Sequence, residues 1–256
     1  MTRLEGVAGT VLVAGSHGGI IAAYLGAEAG VHALILNDAG LGKDRAGIAG
    51  LVYLEEIGMA AAAVDCMSAR IGDGADMLAR GVISHANVFA ALCGVVAGQS
   101  CRDAAERMGR APAARTLPPP YGEGRWQILA GPPEVWALDS TGKLEPADAG
   151  RILVIGSHGA LLGGRRESAL GVAAAAAVFN DAGVGADHIG ISRLPELAAR
   201  GIPAATVDCM SARIGDGRST WETGLISHSN FLAAQIGARR GMSVQEFAST
   251  VATSSR

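Results

Sequence analysis

Short apolar runs, each bounded by glycine or polar residues, recur along the first half of the chain. "TVLVAG" (10–15), "HALILND" (32–38) and "AAAAVDC" (60–66) are typical of buried parallel strands. Between them lie "IIAAYLGAEAG" (20–30) and "GIAGLVYLEEIG" (47–58), which have helical lengths and end in glycine. This alternation of strands and helices predicts an α/β lobe with a parallel sheet and right-handed crossovers.

The same pattern returns in the second half of the chain. "DCMSARIGDG" stands at both 65–74 and 208–217, an offset of 208 − 65 = 143 residues. "NDAG" and "ISHxN" recur at that same offset, and "GSHG" recurs at one of 157 − 16 = 141. A tandem duplication of about 100 residues explains these matches. Two copies are too few for a solenoid, so we expect a pseudo-two-fold pair of similar lobes.

The predicted fold is therefore a tandem duplication of a flavodoxin-like or Rossmann-like βαβαβα lobe. The predicted domains are a first α/β repeat (1–110), a linker (111–150) and a second repeat (151–256). Further helices are expected near 86–94, 100–108, 229–237 and 243–251. "GVISH" (81–85) fits either a fourth strand or a helix start.

The linker contains "LPPPYGEG", a turn-rich stretch, and then "RWQILAG" and "EVWALDS", which predict a β-hairpin arm. We interpret this arm as a cover over the sheet or as a contact in a homo-oligomer. A lid over the substrate is the alternative.

Composition narrows the class of protein. The net charge of −3 and the absence of a basic block speak against a nucleic-acid partner. No apolar run has the length of a membrane span, so no membrane partner is expected. The four cysteines form no CxxC pair, which favours reduced thiols and a cytoplasmic location.

Titratable residues follow all three predicted strands of each copy. Ligands of parallel α/β sheets bind beyond the carboxyl ends of the strands, so these residues are the candidates for chemistry. The candidate catalytic residues are His17, Asp38, Asp65, Cys66, His85, His158, Asp181, Asp208, Cys209 and His228. The candidate substrate-binding residues are Ser16, Gly18, Ser68, Arg70, Asp73, Ser157, Gly159, Asn180, Ser211, Arg213 and Asp216.

The Gly-rich turn "GSHGG" has backbone N–H groups that could hold a carboxylate or a developing oxyanion. It matches neither a dinucleotide-binding fingerprint nor a Walker loop, so no nucleotide is implied. Ser16 is either a helix cap or a ligand contact. His17 recurs as His158 without a capping role, which favours a functional role. Asp38 is either a turn residue or a general base.

The repeated decapeptide brings a hydroxyl, a guanidinium and a carboxylate into one loop. Arg70 either binds a substrate carboxylate in bidentate fashion or pairs internally with Asp73. Cys66 and Cys209 are either buried small residues or two thiols that face one substrate.

"ISHAN" (83–87) is read as Ser84 capping a helix with Asn87 at its third position. His85 and His228, together with His17, Asp38 and Asp65, would then form a possible metal set, although no HxxxH or HxH spacing supports it. No cofactor is predicted, and a divalent metal is the alternative.

These residues predict a cofactor-independent enzyme that hydrolyses a C–N bond in a small substrate bearing a carboxylate or an amide. A His/Asp pair would supply acid–base catalysis, and the Gly-rich turn would hold the oxyanion. One alternative is a two-base racemase or lyase using Cys66 and Cys209, since two α/β lobes with one cysteine each are similar in plan to the aspartate/glutamate racemase family. That family's characteristic cysteine neighbourhoods are not found here. A two-lobed binding protein without turnover is the second alternative.

Overall fold

The computed structural model describes residues 6–254, which form two compact units. Unit 1 comprises residues 6–41, 45–122 and 185–187, and unit 2 comprises 42–44, 123–184 and 188–254. Each unit therefore includes three residues from the other repeat. No helix within the described part of the chain is long and apolar enough to span a membrane.

Unit 1 is a four-stranded sheet in the sequential order β1-β2-β3-β4, with helices on both faces. The first three strands are parallel and β4 is antiparallel to β3. "GVISH" therefore contributes an edge strand. The elements are β1 (Val11–His17), α1 (Ile20–Glu28), β2 (Ala33–Asn37), the 3₁₀ helix Lys43–Ile48, α2 (Ala49–Glu56), β3 (Ala61–Val64), α3 (Gly74–Arg80), β4 (Ile83–Ala86), α4 (Val88–Leu92) and α5 (Cys101–Met108).

The middle strand β2 is buried on both faces, as its unbroken apolar run predicts. Leu34 and Leu36 pack in the apolar layer with residues of α1 and α2. Ile35 points into the opposite layer, which includes Met77 of α3 and Ala104 of α5. Both layers position the carboxyl ends of β1, β2 and β3 at one edge of the sheet.

Unit 2 repeats this order and adds two strands, giving β10-β9-β8-β7-β6-β5. The predicted hairpin pairs antiparallel, and its second strand runs parallel to β7. The elements are β5 (Arg125–Leu129), β6 (Val135–Leu138), the 3₁₀ helices Thr141–Lys143 and Pro146–Asp148, β7 (Ile152–His158), the 3₁₀ helices Leu162–Gly164 and Arg166–Ala169, β8 (Ala176–Asn180), the 3₁₀ helix Ala186–Ile191, α6 (Arg193–Ala199), β9 (Ala204–Val207), α7 (Gly217–Thr223), β10 (Ile226–Ser229), α8 (Phe231–Gln235) and α9 (Val244–Ser254).

The repeats differ after their first strand. Unit 1 has helix α1 there, and Gly50 of α2 packs so closely on it that an added Cβ would lie 2.8 Å from the Ala23 Cβ. Unit 2 has two 3₁₀ turns in place of this expected helix. Arg193, at the position equivalent to Gly50, is 2% exposed and donates to Ala160 O (3.0 Å) and Ser168 O (2.7 Å). A buried guanidinium thus satisfies loop carbonyls that no helix pairs.

Candidate functional site

Two carboxylates and a thiol meet at the strand ends of unit 1. Asp38 follows β2, and Asp65 and Cys66 follow β3, so the parallel strands deliver all three to one edge. One oxygen or sulfur atom from each lies within 4.8 Å of the other two. Asp38 and Cys66 are buried, whereas Asp65 is half-buried. Unit 2 repeats this strand-end cluster with Asp181, Asp208 and Cys209.

The first carboxylate of each cluster ties two strand ends together. In unit 1, Asp38 Oδ1 accepts from the N–H groups of Gly40 (3.0 Å) and Cys66 (2.9 Å). In unit 2, Asp181 Oδ1 accepts in the same way from Gly183 (3.0 Å) and Cys209 (3.0 Å). These bonds fix one oxygen of a buried carboxyl group and orient the other. Burial raises the pKa of the Asp181 carboxyl above its ordinary value.

Both clustered thiols are protonated at neutral pH. Burial, together with the nearby charge of Asp38, raises the pKa of Cys66 to about 12. Burial and Asp181 raise the pKa of Cys209 to about 12 in the same way. Each thiol also shares a hydrogen bond with its aspartate. A proton donor therefore lies against a carboxylate in both clusters.

The loop after β2 has several residues in the left-handed backbone region, although these residues are not glycines. Ala39 (φ 50°), Leu41 (φ 63°), Asp44 (φ 55°) and Arg45 (φ 56°) are all non-glycine residues in this region. The second copy repeats the conformation at Ala182, Val184, Asp187 and His188. Such residues cost about 1–3 kcal/mol each and cluster at functional sites. The strain lies directly beside the strand-end clusters.

Each cluster also accepts a backbone hydrogen bond from one of the three residues that its unit takes from the other repeat. In unit 1, Ala186 N–H donates to the carbonyl of Cys66 (2.7 Å). In unit 2, Lys43 N–H donates to the carbonyl of Cys209 (2.8 Å). The sequence gives no sign of this exchange, since it depends on where a loop lies in space.

The two arginines of the repeated string are already paired with acids. Arg70 Nη2 lies 3.0 Å from Asp76 and 3.7 Å from Asp73, and its Nε lies 3.9 Å from Asp187. In unit 2, Arg213 pairs with Asp216 (3.1 Å) and Asp44 (3.1 Å). The internal pair of Arg70 with Asp73 is therefore present, whereas Nε of Arg70 makes no hydrogen bond to any residue within 6–254.

Several predicted binding residues hold the loops together. Asp73 Oδ1 accepts from Asp76 N–H (3.0 Å) as the N-cap of α3, and Asp216 caps α7 in the same manner. Ser68 Oγ donates to Asp65 O (2.7 Å) and accepts from Val82 N–H (2.9 Å). Ser211 makes the equivalent bonds in unit 2. Asn180 Nδ2 donates to Ala212 O (3.1 Å), and its Oδ1 accepts from Ala182 N–H.

The Gly-rich turn does not offer the free donors that the sequence suggested. Gly18 N–H donates to Asn37 O (2.7 Å), and Gly19 N–H donates to His17 Nδ1 (3.1 Å). Gly159 N–H donates to Asn180 O (2.8 Å). The expectation that these glycine N–H groups are free to hold an oxyanion is therefore wrong in both units. Glycine is needed at position 18 because a Cβ there would lie 2.5 Å from Gly47 O.

The imidazole ring of His17 accepts one hydrogen bond and keeps one N–H group that can donate. Its Nδ1 accepts from Gly19, so the neutral ring carries its hydrogen on Nε2. The side chain is buried, and burial lowers its pKa from 6.5 to about 4. His17 is therefore a neutral N–H donor at pH 7. In unit 2, the equivalent His158 Nδ1 accepts from Ala160 N–H (3.2 Å).

This lowered pKa makes stability depend on pH. Between pH 6.5 and 4 the unfolded chain binds a proton at His17 that the folded chain does not, so stability falls as the pH falls. The full effect is about 3 kcal/mol. Urea unfolding at several pH values is expected to give a shallower pH slope for His17→Gln than for the wild type. Equal slopes would contradict the assigned burial of a neutral ring.

The remaining predicted site residues are two serines in β1 and β7 and two histidines in β4 and β10. Ser16 is half-buried in β1, whereas Ser157 is buried in β7 and its Oγ has no hydrogen-bond partner within residues 6–254. His85 and His228 lie in β4 and β10. The reading of Ser84 as a helix cap is wrong: Ser84 lies in β4, and Asn87 is the N-cap of α4, accepting from Ala90 N–H.

Two carboxylates and a cysteine sulfur at this spacing could bind a divalent cation such as zinc, provided that the thiol gives up its proton to the solvent. In the described chain the donor groups are Asp38, Asp65 and Cys66, and Asp181, Asp208 and Cys209. No histidine belongs to either group, so the metal set expected from His17, His85 and His228 is not assembled in residues 6–254.

A cavity of about 540 Å³ in unit 1 lies apart from the cluster. Its lining includes Val31, His32, Met59 and Arg115, and no predicted site residue. The strand-end clusters therefore remain the candidate site.

The comparisons with known proteins assign no family. No protein-family model matches the chain, and neither a curated protein nor a solved structure matches it.

Proposed function

We propose that this protein is an enzyme that hydrolyses a C–N bond in a small metabolite bearing a carboxylate or an amide. One observation carries the proposal: a buried carboxyl group and a protonated thiol meet, with a second carboxylate, at the strand ends of each unit. Amide hydrolysis needs a base for water and an acid for the departing nitrogen, and these groups can supply both.

The roles follow from the protonation states. The Asp181 carboxylate, or Asp38 in unit 1, takes a proton from water as the water oxygen bonds to the carbonyl carbon. The C–N bond then breaks, and the nitrogen leaves with the proton of that carboxyl group, either directly or through the neighbouring thiol, which the carboxyl group then reprotonates. Burial raises the pKa of Asp181, which makes its carboxylate a stronger base than that of an ordinary aspartate.

The developing negative charge on the substrate oxygen needs a donor. His17 supports this role because it carries a hydrogen on Nε2 and stays neutral at pH 7. A neutral imidazole can polarise a carbonyl in this way. Arg70 would take the substrate carboxylate by exchanging its longest ion pair, the 3.9 Å contact with Asp187.

The two-base alternative receives less support from these groups. A thiol racemase needs one thiolate as its resting base, whereas the pKa of each clustered thiol is raised to about 12. A binding protein without turnover would use the same groups for hydrogen bonds alone.

The test is hydrolysis in ¹⁸O-labelled water. The purified protein is incubated with a panel of primary amides, lactams and ureides, and products are analysed by mass spectrometry. Hydrolysis places one labelled oxygen in the product of an accepted substrate. A panel of amino acids in heavy water tests the racemase, because exchange at the α-carbon that disappears in Cys66→Ser and Cys209→Ser would replace our proposal. Saturable binding with neither product would favour the binding protein.

We also propose a cytoplasmic location for this enzyme. All four cysteines are free thiols, which suits a reducing cytoplasm. We also propose a homo-oligomer, which light scattering of the purified chain would test.

A further inference from the structure

The hydroxyl of Ser227 is a junction of hydrogen bonds in unit 2. Its Oγ lies 3.1 Å from Thr206 Oγ1, 3.3 Å from Thr206 O and 3.2 Å from His228 Nδ1. Ser227 also hydrogen-bonds to the carboxyl group of Asp181. Ser227 and Thr206 are buried and His228 is half-buried.

The chemistry of a hydroxyl fixes the direction of these bonds. Ser227 has one hydrogen to donate and two lone pairs to accept with. The Thr206 carbonyl, to which Ser227 Oγ donates at 3.3 Å, and the Asp181 carboxylate can both only accept, so the serine hydrogen goes to these oxygens and not to His228. The two lone pairs then accept from the Thr206 hydroxyl and from His228, whose hydrogen must lie on Nδ1.

Unit 1 has the same serine and histidine but a different neighbour. Ala63 stands at the position of Thr206 and has no hydroxyl. Ser84 Oγ donates to Ala63 O (3.3 Å), and His85 Nδ1 is buried with no hydrogen-bond partner within residues 6–254. One substitution thus accompanies the loss of the serine–histidine bond.

We propose that Ser227 is a positioning residue that holds His228 as the Nδ1–H tautomer and joins it to Asp181. A chain of hydrogen bonds then links Cys209, Asp181 and Ser227 to the Nδ1–H group of His228. Thr206 supports this chain of hydrogen bonds by filling the second lone pair of Ser227. The catalytic use of these bonds rests on the proposed hydrolysis, whereas the tautomer does not.

This arrangement orients the carboxylate that takes a proton from water. The hydrogen that Ser227 donates favours the charged form of Asp181. The bond from His228 Nδ1 to Ser227 Oγ (3.2 Å) holds the serine hydroxyl in this donating orientation. The first unit, in which His85 Nδ1 makes no such bond, is expected to turn over substrate more slowly.

The tautomers are measured by long-range ¹H–¹⁵N correlation spectra of the labelled full-length chain, at a pH where the imidazoles are neutral. His228→Gln and His85→Gln assign the two signals. We expect the Nδ1–H form of His228 to predominate in the wild type and to lose its majority in Ser227→Ala. The matched control Ser84→Ala is expected to leave His85 unchanged.

An unchanged His228 tautomer in Ser227→Ala would overturn the inference, as would an Nε2–H form of His228 in the wild type. Thr206→Ala gives a second variant, expected to shift the tautomer in the same direction by a smaller amount. If an amide substrate is found, Ser227→Ala is expected to lower kcat with little change in KM. If no amide is hydrolysed, the proposed function fails while the tautomer result still decides this inference.

Discussion

Replacing Asp181 by asparagine is expected to lower the turnover of an accepted amide by about 10²–10⁴-fold, the usual contribution of a general acid–base group. The replacement is nearly isosteric. Its amide oxygen can still accept from Gly183 and Cys209 N–H, so the loop keeps its anchors. The variant loses the capacity to take and return a proton, together with the second carboxylate oxygen that can accept from Ser227. Product formation in labelled water measures the effect.

Two comparisons make this result specific. Asp103→Asn changes an exposed aspartate of α5, and turnover is expected to stay at the wild-type value. Asp38→Asn changes the equivalent residue of unit 1, and a smaller loss is expected there because His85 Nδ1 has no partner in the described chain. Turnover of Asp181→Asn within twofold of the wild type would remove Asp181 from the mechanism.

Replacing Asn230 by alanine is expected to destabilise the chain by about 3–5 kcal/mol, since several buried backbone groups lose their partners at once. Asn230 Nδ2 donates to Ile202 O (2.9 Å) and Leu194 O (3.2 Å). Its Oδ1 accepts from Ala204 N–H (3.1 Å) and Ala233 N–H (3.0 Å). One side chain thus joins α6, the start of β9 and the first turn of α8.

Urea unfolding measures this loss as a lower midpoint at constant slope. Gln235→Ala is the matched control because it removes an exposed amide from the same helix, and a change within about 0.5 kcal/mol is expected. A similar midpoint for Asn230→Ala and Gln235→Ala would show that the buried network contributes little. Asn87 makes the same four kinds of contact in unit 1 and is expected to behave alike.

The sequence predicted the layers of the fold because strands and helices carry local patterns. Leu34, Ile35 and Leu36 are uninterrupted apolar residues, and that run marks a strand buried on both faces. "ISHAN" was harder to interpret, because a capping pattern and an edge strand share its letters. Only pairing with β3 assigns Ser84 to a strand and leaves Asn87 as the cap.

The sequence also placed Asp38, Asp65 and Cys66 at one sheet edge, since parallel strands end together. It could not tell which neighbouring groups were already engaged. The turn sequence suggests that the N–H groups of Gly18 and Gly19 are free, but in the folded chain both are hydrogen-bonded. The role of Arg193 was missed for a similar reason, because nothing in "SRLPE" indicates loop carbonyls to which a buried guanidinium donates.

By itself, then, the sequence determined the repeat, the α/β layering and the residue types at the strand ends, because these follow from local periodicity and chain direction. Tertiary structure alone decided the protonation of Cys66 and Cys209, the hydrogen position on His17 and the chain of hydrogen bonds through Ser227. Burial and hydrogen-bond partners fix those properties. The partners come from segments far apart in the chain, as Thr206 and Ser227 do.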